Sequence, residues 1–250
     1  MRTYNPQFPI ISIITVSYNA ESTIENTIKS VINQTYPNIE YIIIDGGSTD
    51  RTLEIIKKYE HHISCWISEP DKGIYNAMNK GIQIASGDWI NFMNAGDTFH
   101  DFNTINNIHF EQIDKTLYKI VYGDTIKKKY SKTYYIKAFN ISHIKRSIIC
   151  CHQSLFVSLM DKSQVLFDEK YKISADFQVI HDLYYRFGMS IFYYVPIPIS
   201  IYDGEFGVSA INRLLLYKEQ LEIRSKHKDF MWFIDYIRYK IRVLLNTLNS

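Results

Sequence analysis

Glu69–Asp97, EPDKGIYNAMNKGIQIASGDWINFMNAGD, reads as an acidic turn, an amphipathic helix, a buried strand and a polar loop ending on a carboxylate. Gly73 and Gly81 bracket a helix whose apolar positions Ile74, Ala77, Met78, Ile82 and Ala85 recur at steps of three and four, so one face is meant for a core. After Ser86-Gly87, Asp88–Met93 has the character of a short strand. Asn94-Ala-Gly-Asp97 leaves that strand at its C-terminal end, where open α/β sheets place their binding crevices.

Upstream, Pro9–Ser17 is almost wholly apolar and β-branched, as expected of a parallel strand covered on both faces. Ile24, Ile28, Val31 and Ile32 mark a helix that runs to about Gln34 and is broken by Pro37. A second buried strand, Ile39–Ile44, ends at Asp45–Asp50; a helix begins at Leu53, and Ile63–Ile67 is a third strand. This alternation predicts an α/β fold with a Rossmann-like, mostly parallel sheet and helices on both faces.

The second half is less regular. Strands are expected at Ile120–Thr125, Thr133–Ala138 and Ser154–Ser158, and a helix at Ala175–Phe187. Ile191–Tyr202 is extended and carries Pro196 and Pro198, which suits an edge strand. Helices fill most of Val208–Leu248. The expected division is therefore a domain over residues 1–207 and a C-terminal helical segment over 208–250.

The 250 residues include 20 Tyr and 14 Phe, enough for sugar- or base-stacking surfaces, although core tyrosines are the commoner use. A net charge of +2 gives no case for a nucleic-acid partner, yet residues 213–250 hold eight Lys/Arg against four Asp/Glu, leaving −2 for the rest. Cys65, Cys150 and Cys151 are too few and wrongly spaced for a disulfide framework or a zinc site, which fits a reduced, cytoplasmic setting. The start lacks the basic-then-apolar order of a secretion signal, and no run of 18 apolar residues suggests a membrane span.

Asp45, Asp71 and Asp97 each follow an expected strand end, so a parallel sheet would carry them to one rim. Carboxylates so gathered can grip a divalent cation, a ribose and a base; capping the next helix is the bland alternative, strongest for Asp50. Four motifs in order, Ser12–Asn19 (SIITVSYN), Ser30–Pro37 (SVINQTYP), Ile43–Asp50 (IIDGGSTD) and Asp71–Gly81 (DKGIYNAMNKG), together resemble the family-2 inverting glycosyltransferases of GT-A fold. The Asn-Ala-Gly-Asp loop resembles the colanic-acid and O-antigen type within that family.

The resemblance implies roles. Thr15, Val16 and Tyr18 would line the nucleobase pocket, with Asp45 accepting from base or ribose. Asp71, Lys72 and Gly73 would sit by the ribose and diphosphate, with Asn79 reaching the same pocket. Asn94–Asp97 would stand for the family's metal-binding Asp-x-Asp element, but residues 94 and 96 are Asn and Gly, so Asp97 alone would hold Mg²⁺ or Mn²⁺ beside the donor diphosphate. Ile173–Phe177 (ISADF) resembles the element carrying the catalytic base, which makes Asp176 the group that takes the acceptor's proton; a helix N-cap is its alternative. Cys150–Ser154 (CCHQS) would bring His152 and Gln153 to the diphosphate or acceptor.

The implied partners are a nucleotide-sugar donor, most simply UDP-linked, and a lipid-diphosphate-linked saccharide acceptor. Phe230–Leu245, with Arg238, Lys240 and Arg242 among aromatic and aliphatic residues, suits either the cytoplasmic membrane surface or packing on protein. A catalytically inactive sugar-nucleotide-binding module is the rival reading. A dinucleotide-dependent oxidoreductase is set aside because Ser17-Tyr-Asn-Ala-Glu21 follows the first strand where Gly-x-Gly-x-x-Gly would be needed.

Overall fold

The structure is a computed structural model that describes residues 4–203 and 212–248. The expected boundary between 207 and 208 lies outside the described residues. Strands β1 (Ile11–Ser17), β2 (Ile39–Asp45), β3 (Cys65–Ser68) and β4 (Trp89–Phe92) pair in parallel in the order β3-β2-β1-β4. They are linked by α1 (Ile24–Ile32), α2 (Thr52–Lys58) and α3 (Ile74–Ile84).

Alternate residues of the central strands serve two cores. Ile13 and Ile43 pack with Ile24, Ile28 and Val31 of α1, whereas Ile14, Ile42 and Ile44 pack with Ala77, Met78 and Ile82 of α3. Burial on both faces is why these strands read as unbroken apolar runs. Each such isoleucine contributes about 1.5–3 kcal/mol relative to an exposed one.

Gly81 lies inside α3 instead of ending it. A Cβ at that position would stand 2.7 Å from Ile14 Cγ2, so the glycine is what lets the helix settle onto β1. At the other end of α3, Ile74 is 40% exposed and Tyr75, at 7%, takes the inward position.

The described residues form one nine-stranded sheet. Its second half adds β5 (Thr98–Phe99), β6 (Ile120–Lys129), β7 (Lys132–Ile136), β8 (Leu155–Ser158) and β9 (Phe192–Asp203), and the order continues β4-β8-β6-β9-β5 with β7 on β6. Antiparallel β8 is spliced between β4 and β6, and β9 runs parallel to β6. The mostly parallel α/β sheet is thus as expected.

Pro196 and Pro198 fall where the β6–β9 ladder slips in register, and β5 pairs only with Ser200 and Ile201. The proline-bearing stretch therefore has no strand on its outer side among the described residues, which is where a missing N–H is tolerated. Buried Asp124 of β6 ties this region together, accepting from Tyr194 Oη at 2.8 Å and from the Ala138 N–H at 2.8 Å.

Helix α4 (Ala175–Phe187) packs on the face that carries α3. Helices α5 (Arg213–Arg224) and α6 (Phe230–Leu248) follow as a hairpin, closed by Trp232 Nε1 donating to Leu221 O at 2.9 Å and by Arg224 with Asp235 at 3.1 Å. No helix of the described residues is long and apolar enough to cross a membrane.

Candidate active site

The C-terminal ends of β1 to β4 deliver four loops to one rim. On the β1 and β2 side, Asn19 has φ 46° and its Oδ1 accepts from the Thr49 N–H at 2.9 Å, while its own N–H donates to Ser48 Oγ at 2.8 Å. The two loops are thereby stitched together, with the Tyr18 ring 65% exposed above them. Beneath lies Asp45, fully buried. It accepts from Ser17 Oγ (3.0 Å), Ser48 N–H and Oγ (2.8 and 2.5 Å), Gly47 N–H (3.1 Å) and Ser68 Oγ (2.7 Å).

Burial alone raises the pKa of such a carboxyl, but the hydrogen bonds from Ser48, Ser68 and Ser17 outweigh it and hold Asp45 below its ordinary value. From the end of β3, Asp71 reaches over the same loop. A Cβ on Gly46 would stand 2.5 Å from Asp71 Oδ2 and 3.5 Å from Tyr18 Cδ2. The absent side chain at residue 46 leaves the room that the Asp71 carboxylate fills beside the Tyr18 ring.

On the β4 side a second cluster forms. Asp176, in the first turn of α4, has Oδ1 3.3 Å from Tyr75 Oη and Oδ2 3.5 Å from His152 Nδ1. The other ring nitrogen of His152 is 2.9 Å from Asn94 Nδ2. With the Asn94 amide donating to Nε2, the ring proton sits on Nδ1 and faces Asp176. Burial, and then the Asp176 charge beside it, push the Tyr75 hydroxyl well above the ordinary phenol range, so it stays a donor.

Next in the same loop, Asp97 accepts from Gln153 Nε2, and Gln153 Oε1 accepts from the Cys151 thiol. Burial, then the Asp97 charge, raise the Cys151 thiol well above its usual value, which keeps it un-ionised and inert. A cavity of about 50 Å³ opens beside this cluster, with Ile74, Met78, Phe92, His152 and Asp176 among its lining.

The structure thus brings together Asn94, Asp97, His152, Gln153 and Asp176, and separately Tyr18 and Asp71 with the loop over Asp45. Lys72 and Gly73 sit exposed at the mouth of α3. Other expected residues lie elsewhere. Thr15 is fully buried and donates to Met93 O at 2.8 Å, with Tyr41 Oη 3.0 Å away, and Val16 is in the core on the opposite face, so neither side chain reaches the rim. Asn79 clips α3 to the Phe167 backbone, donating to its carbonyl and accepting from its N–H at 2.9 Å each, which moves it out of the pocket. The N-cap of α4 is Ser174, so Asp176 is not the cap.

Two residues escaped sequence reasoning. Tyr75 hid in the apolar periodicity of α3. Glu219 of α5, buried, accepts from the N–H groups of Lys172, Ile173 and Ser174 at 2.7, 3.0 and 2.9 Å, the three residues ahead of Ala175-Asp176. Nothing local in the sequence marks a contact between segments so far apart.

Among the described residues, no three His, Cys, Asp or Glu side chains surround a point where a metal ion would sit. Yet Asn94 Oδ1 is buried without a hydrogen-bond partner, three residues from the Asp97 carboxylate. An orphaned amide oxygen and a carboxylate in one loop are hard donors of the kind Mg²⁺ and Mn²⁺ take, sharing the ion with phosphate oxygens and water. The residues fit a cation held jointly with a ligand better than one held by protein alone.

A doubly wound sheet with these loops on its rim defines an α/β protein of the GT-A type. Solved structures superpose accordingly: S. aureus TarS in complex with UDP-GlcNAc gives a TM-score of 0.66 at 15% identity, covering 90% of this chain and 69% of that one. Glucosyl-3-phosphoglycerate synthase from Mycobacterium tuberculosis, with Mn²⁺, UDP and glucosyl-3-phosphoglycerate, gives 0.60 at 14% identity, covering 89% and 82%.

The model of glycosyl transferase family 2 matches residues 12–181, and the chain belongs to that family. It is similar to a PGL/p-HBAD biosynthesis glycosyltransferase of Mycobacterium tuberculosis, 30% identical over 153 residues. That match spans 59% of each chain. It is similar also to Escherichia coli WfaP, a UDP-Glc:alpha-D-GlcNAc-diphosphoundecaprenol beta-1,3-glucosyltransferase, 38% identical over 110 residues and 44% of each chain.

Proposed function

We propose that the chain transfers a sugar, with inversion, from a UDP-linked donor to a lipid-diphosphate-linked saccharide during assembly of a bacterial surface polysaccharide. The observation that carries this reading is the bridge Asp97-loop to His152 to Asp176. It holds Asp176, the carboxylate expected to face the acceptor, within one side chain of the loop expected at the donor diphosphate. The donor and acceptor classes are those in WfaP's name.

In this reading the Tyr18 ring stacks on the base, Asp71, Lys72 and Gly73 flank the ribose and diphosphate, and Asp45 acts from below by fixing the loop at residues 46–48. Asn94 and Gln153 orient the phosphates. Asp97, with Asn94 Oδ1, would hold Mg²⁺ or Mn²⁺, which when bound supplies positive charge to the departing diphosphate. Asp176 accepts the proton of the acceptor hydroxyl as its oxygen bonds to the anomeric carbon and the bond to the diphosphate oxygen breaks. Attack opposite the leaving group inverts that carbon. Tyr75 and His152 hold the carboxylate in line.

The test is nucleoside-diphosphate release with a panel of sugar nucleotides, Mn²⁺ and lipid-diphosphate-linked saccharides. Asp176→Asn is expected to lower kcat by about 10²–10⁴-fold while donor binding by calorimetry persists. Neither transfer nor donor hydrolysis across the panel would overturn the reading. Donor binding without turnover, unaffected by Asp176→Asn, would favour an inactive binding module, which the single carboxylate of the metal loop makes the second reading.

A further inference from the structure

Helix α6 shows two different faces. One packs on the protein: Trp232 is buried and donates to Leu221 O, and Asp235 meets both Arg224 at 3.1 Å and Arg146 at 3.7 Å. On the other, Phe230, Phe233, Ile237, Ile241 and Leu245 are each between 51% and 78% exposed. Their spacing of three, four, four and four places them within an arc of about 120° on an α-helix, with Trp232 roughly opposite. From Phe230 to Leu245 the arc runs about 22 Å along the axis.

The charges are placed by the same geometry. Lys240 borders the apolar arc on one side and Arg238 on the other, with Arg242 one step further round. Lys240 Nζ lies 5.4 Å from the Tyr236 ring centroid and Arg242 Cζ 4.4 Å from that of Tyr217, so both side chains lie along the helix flanks. Arg238 reaches Asp235 at 3.3 Å while remaining exposed.

We infer that α6 docks this protein onto an anionic lipid surface, its apolar arc at the acyl boundary and Arg238, Lys240 and Arg242 at headgroup level. The choice of lipid over a second copy of the chain follows from charge. Two such arcs pressed together would set cationic borders against one another in a region that already carries eight Lys/Arg to four Asp/Glu. Phosphate headgroups neutralise both borders at once. The packing expected for this segment is seen on one face of the helix, and the proposed lipid contact would use the opposite face.

The inference does not depend on the transferase reading, and its test contains no transfer step. The full chain is sedimented with vesicles of phosphatidylcholine alone and with vesicles of phosphatidylcholine and phosphatidylglycerol in equal parts. Binding to the anionic vesicles is expected to be stronger by about tenfold or more and to weaken with added salt. Ile237→Glu and Ile241→Glu should each weaken it by about tenfold or more, with circular dichroism and Tm unchanged because both side chains face solvent in the free protein.

Arg238→Gln with Lys240→Gln, which removes no apolar contact, should lower binding to anionic vesicles only. The inference is overturned if the wild type stays in the supernatant with both vesicle types, or if the double Gln variant binds as the wild type does. It is equally overturned if light scattering shows a dimer that Ile237→Glu dissociates and vesicles do not bind.

Discussion

Asp45 and Asp176 follow the same residue chemistry to opposite ends. Asp45 spends its acceptor capacity inside the protein, on three serine hydroxyls and two N–H groups, so it shapes the rim from below. Its folded pKa lies below the ordinary 3.8. The stability it contributes is therefore fully present above that unfolded value and is lost as pH falls through the lower folded one. Asp45→Asn should cost about 1–3 kcal/mol near neutrality. In thermal melts against pH the gap between wild type and variant should close on acidification below about pH 4, and a gap that stays constant would contradict this account. Asp176, by contrast, has fewer partners among the described residues: it accepts from the Phe177 N–H at 2.8 Å and meets the Tyr75 hydroxyl and the His152 ring, and it lines the cavity. Tyr75→Phe removes one hydrogen bond to a charged group, so kcat should fall by about tenfold with KM for the donor unchanged, as steady-state kinetics would read.

Among the elements, α5 reaches the turn ahead of Asp176, the proposed base, through one side chain. Glu219 gathers three successive N–H groups ahead of Asp176, and an alanine there would take their shared acceptor away, leaving the buried Ser174 N–H without it. Glu219→Ala is expected to cost about 3 kcal/mol in denaturant melts and to lower kcat, while Tyr18-side donor binding persists. Loss of stability with kcat intact would show that the Lys172–Ser174 turn does not position the proposed base.

This contact also marks the limit of what the sequence made legible. Strands β1, β2 and β4 and helix α4 were readable because two-sided burial and helical periodicity are local signals. The carboxyl-end rule put Asn94–Asp97 at the rim, and the family resemblance singled out His152 and Asp176, which the structure brings beside that loop. Gly81 misled because a helix-breaking residue was in fact a close-approach residue against Ile14. The parallel pairing of β6 with β9, the reach of Glu219 and the turning inward of Tyr75 and Thr15 depend on which distant segment lies opposite, and no spacing along the chain encodes that.

At the scale of the whole molecule, the rim joins loops from four parallel strands, and none of them meets the others in an unfolded chain. A ligand that touches Tyr18, Asp71 and the Asn94–Asp97 loop at once binds the native state alone and must raise its melting temperature. With free ligand at about a hundred times Kd the gain is about 2.7 kcal/mol. For a chain of 250 residues that corresponds to a shift of about 5–10 °C. The shift should come in two parts. In the proposed reading UDP alone would engage the Tyr18–Asp71 side and should raise Tm modestly, and UDP with Mn²⁺ should raise it further because the cation would be shared between the diphosphate and Asp97. Asp97→Asn should keep the first part and lose the second, since an amide gives the ion no charge. Differential scanning fluorimetry with UDP, Mn²⁺ and both would read the two parts directly. An Asp97→Asn protein that retained the full Mn²⁺ increment would remove Asp97 from the cation's coordination and leave the Asn94 side of the loop to carry it.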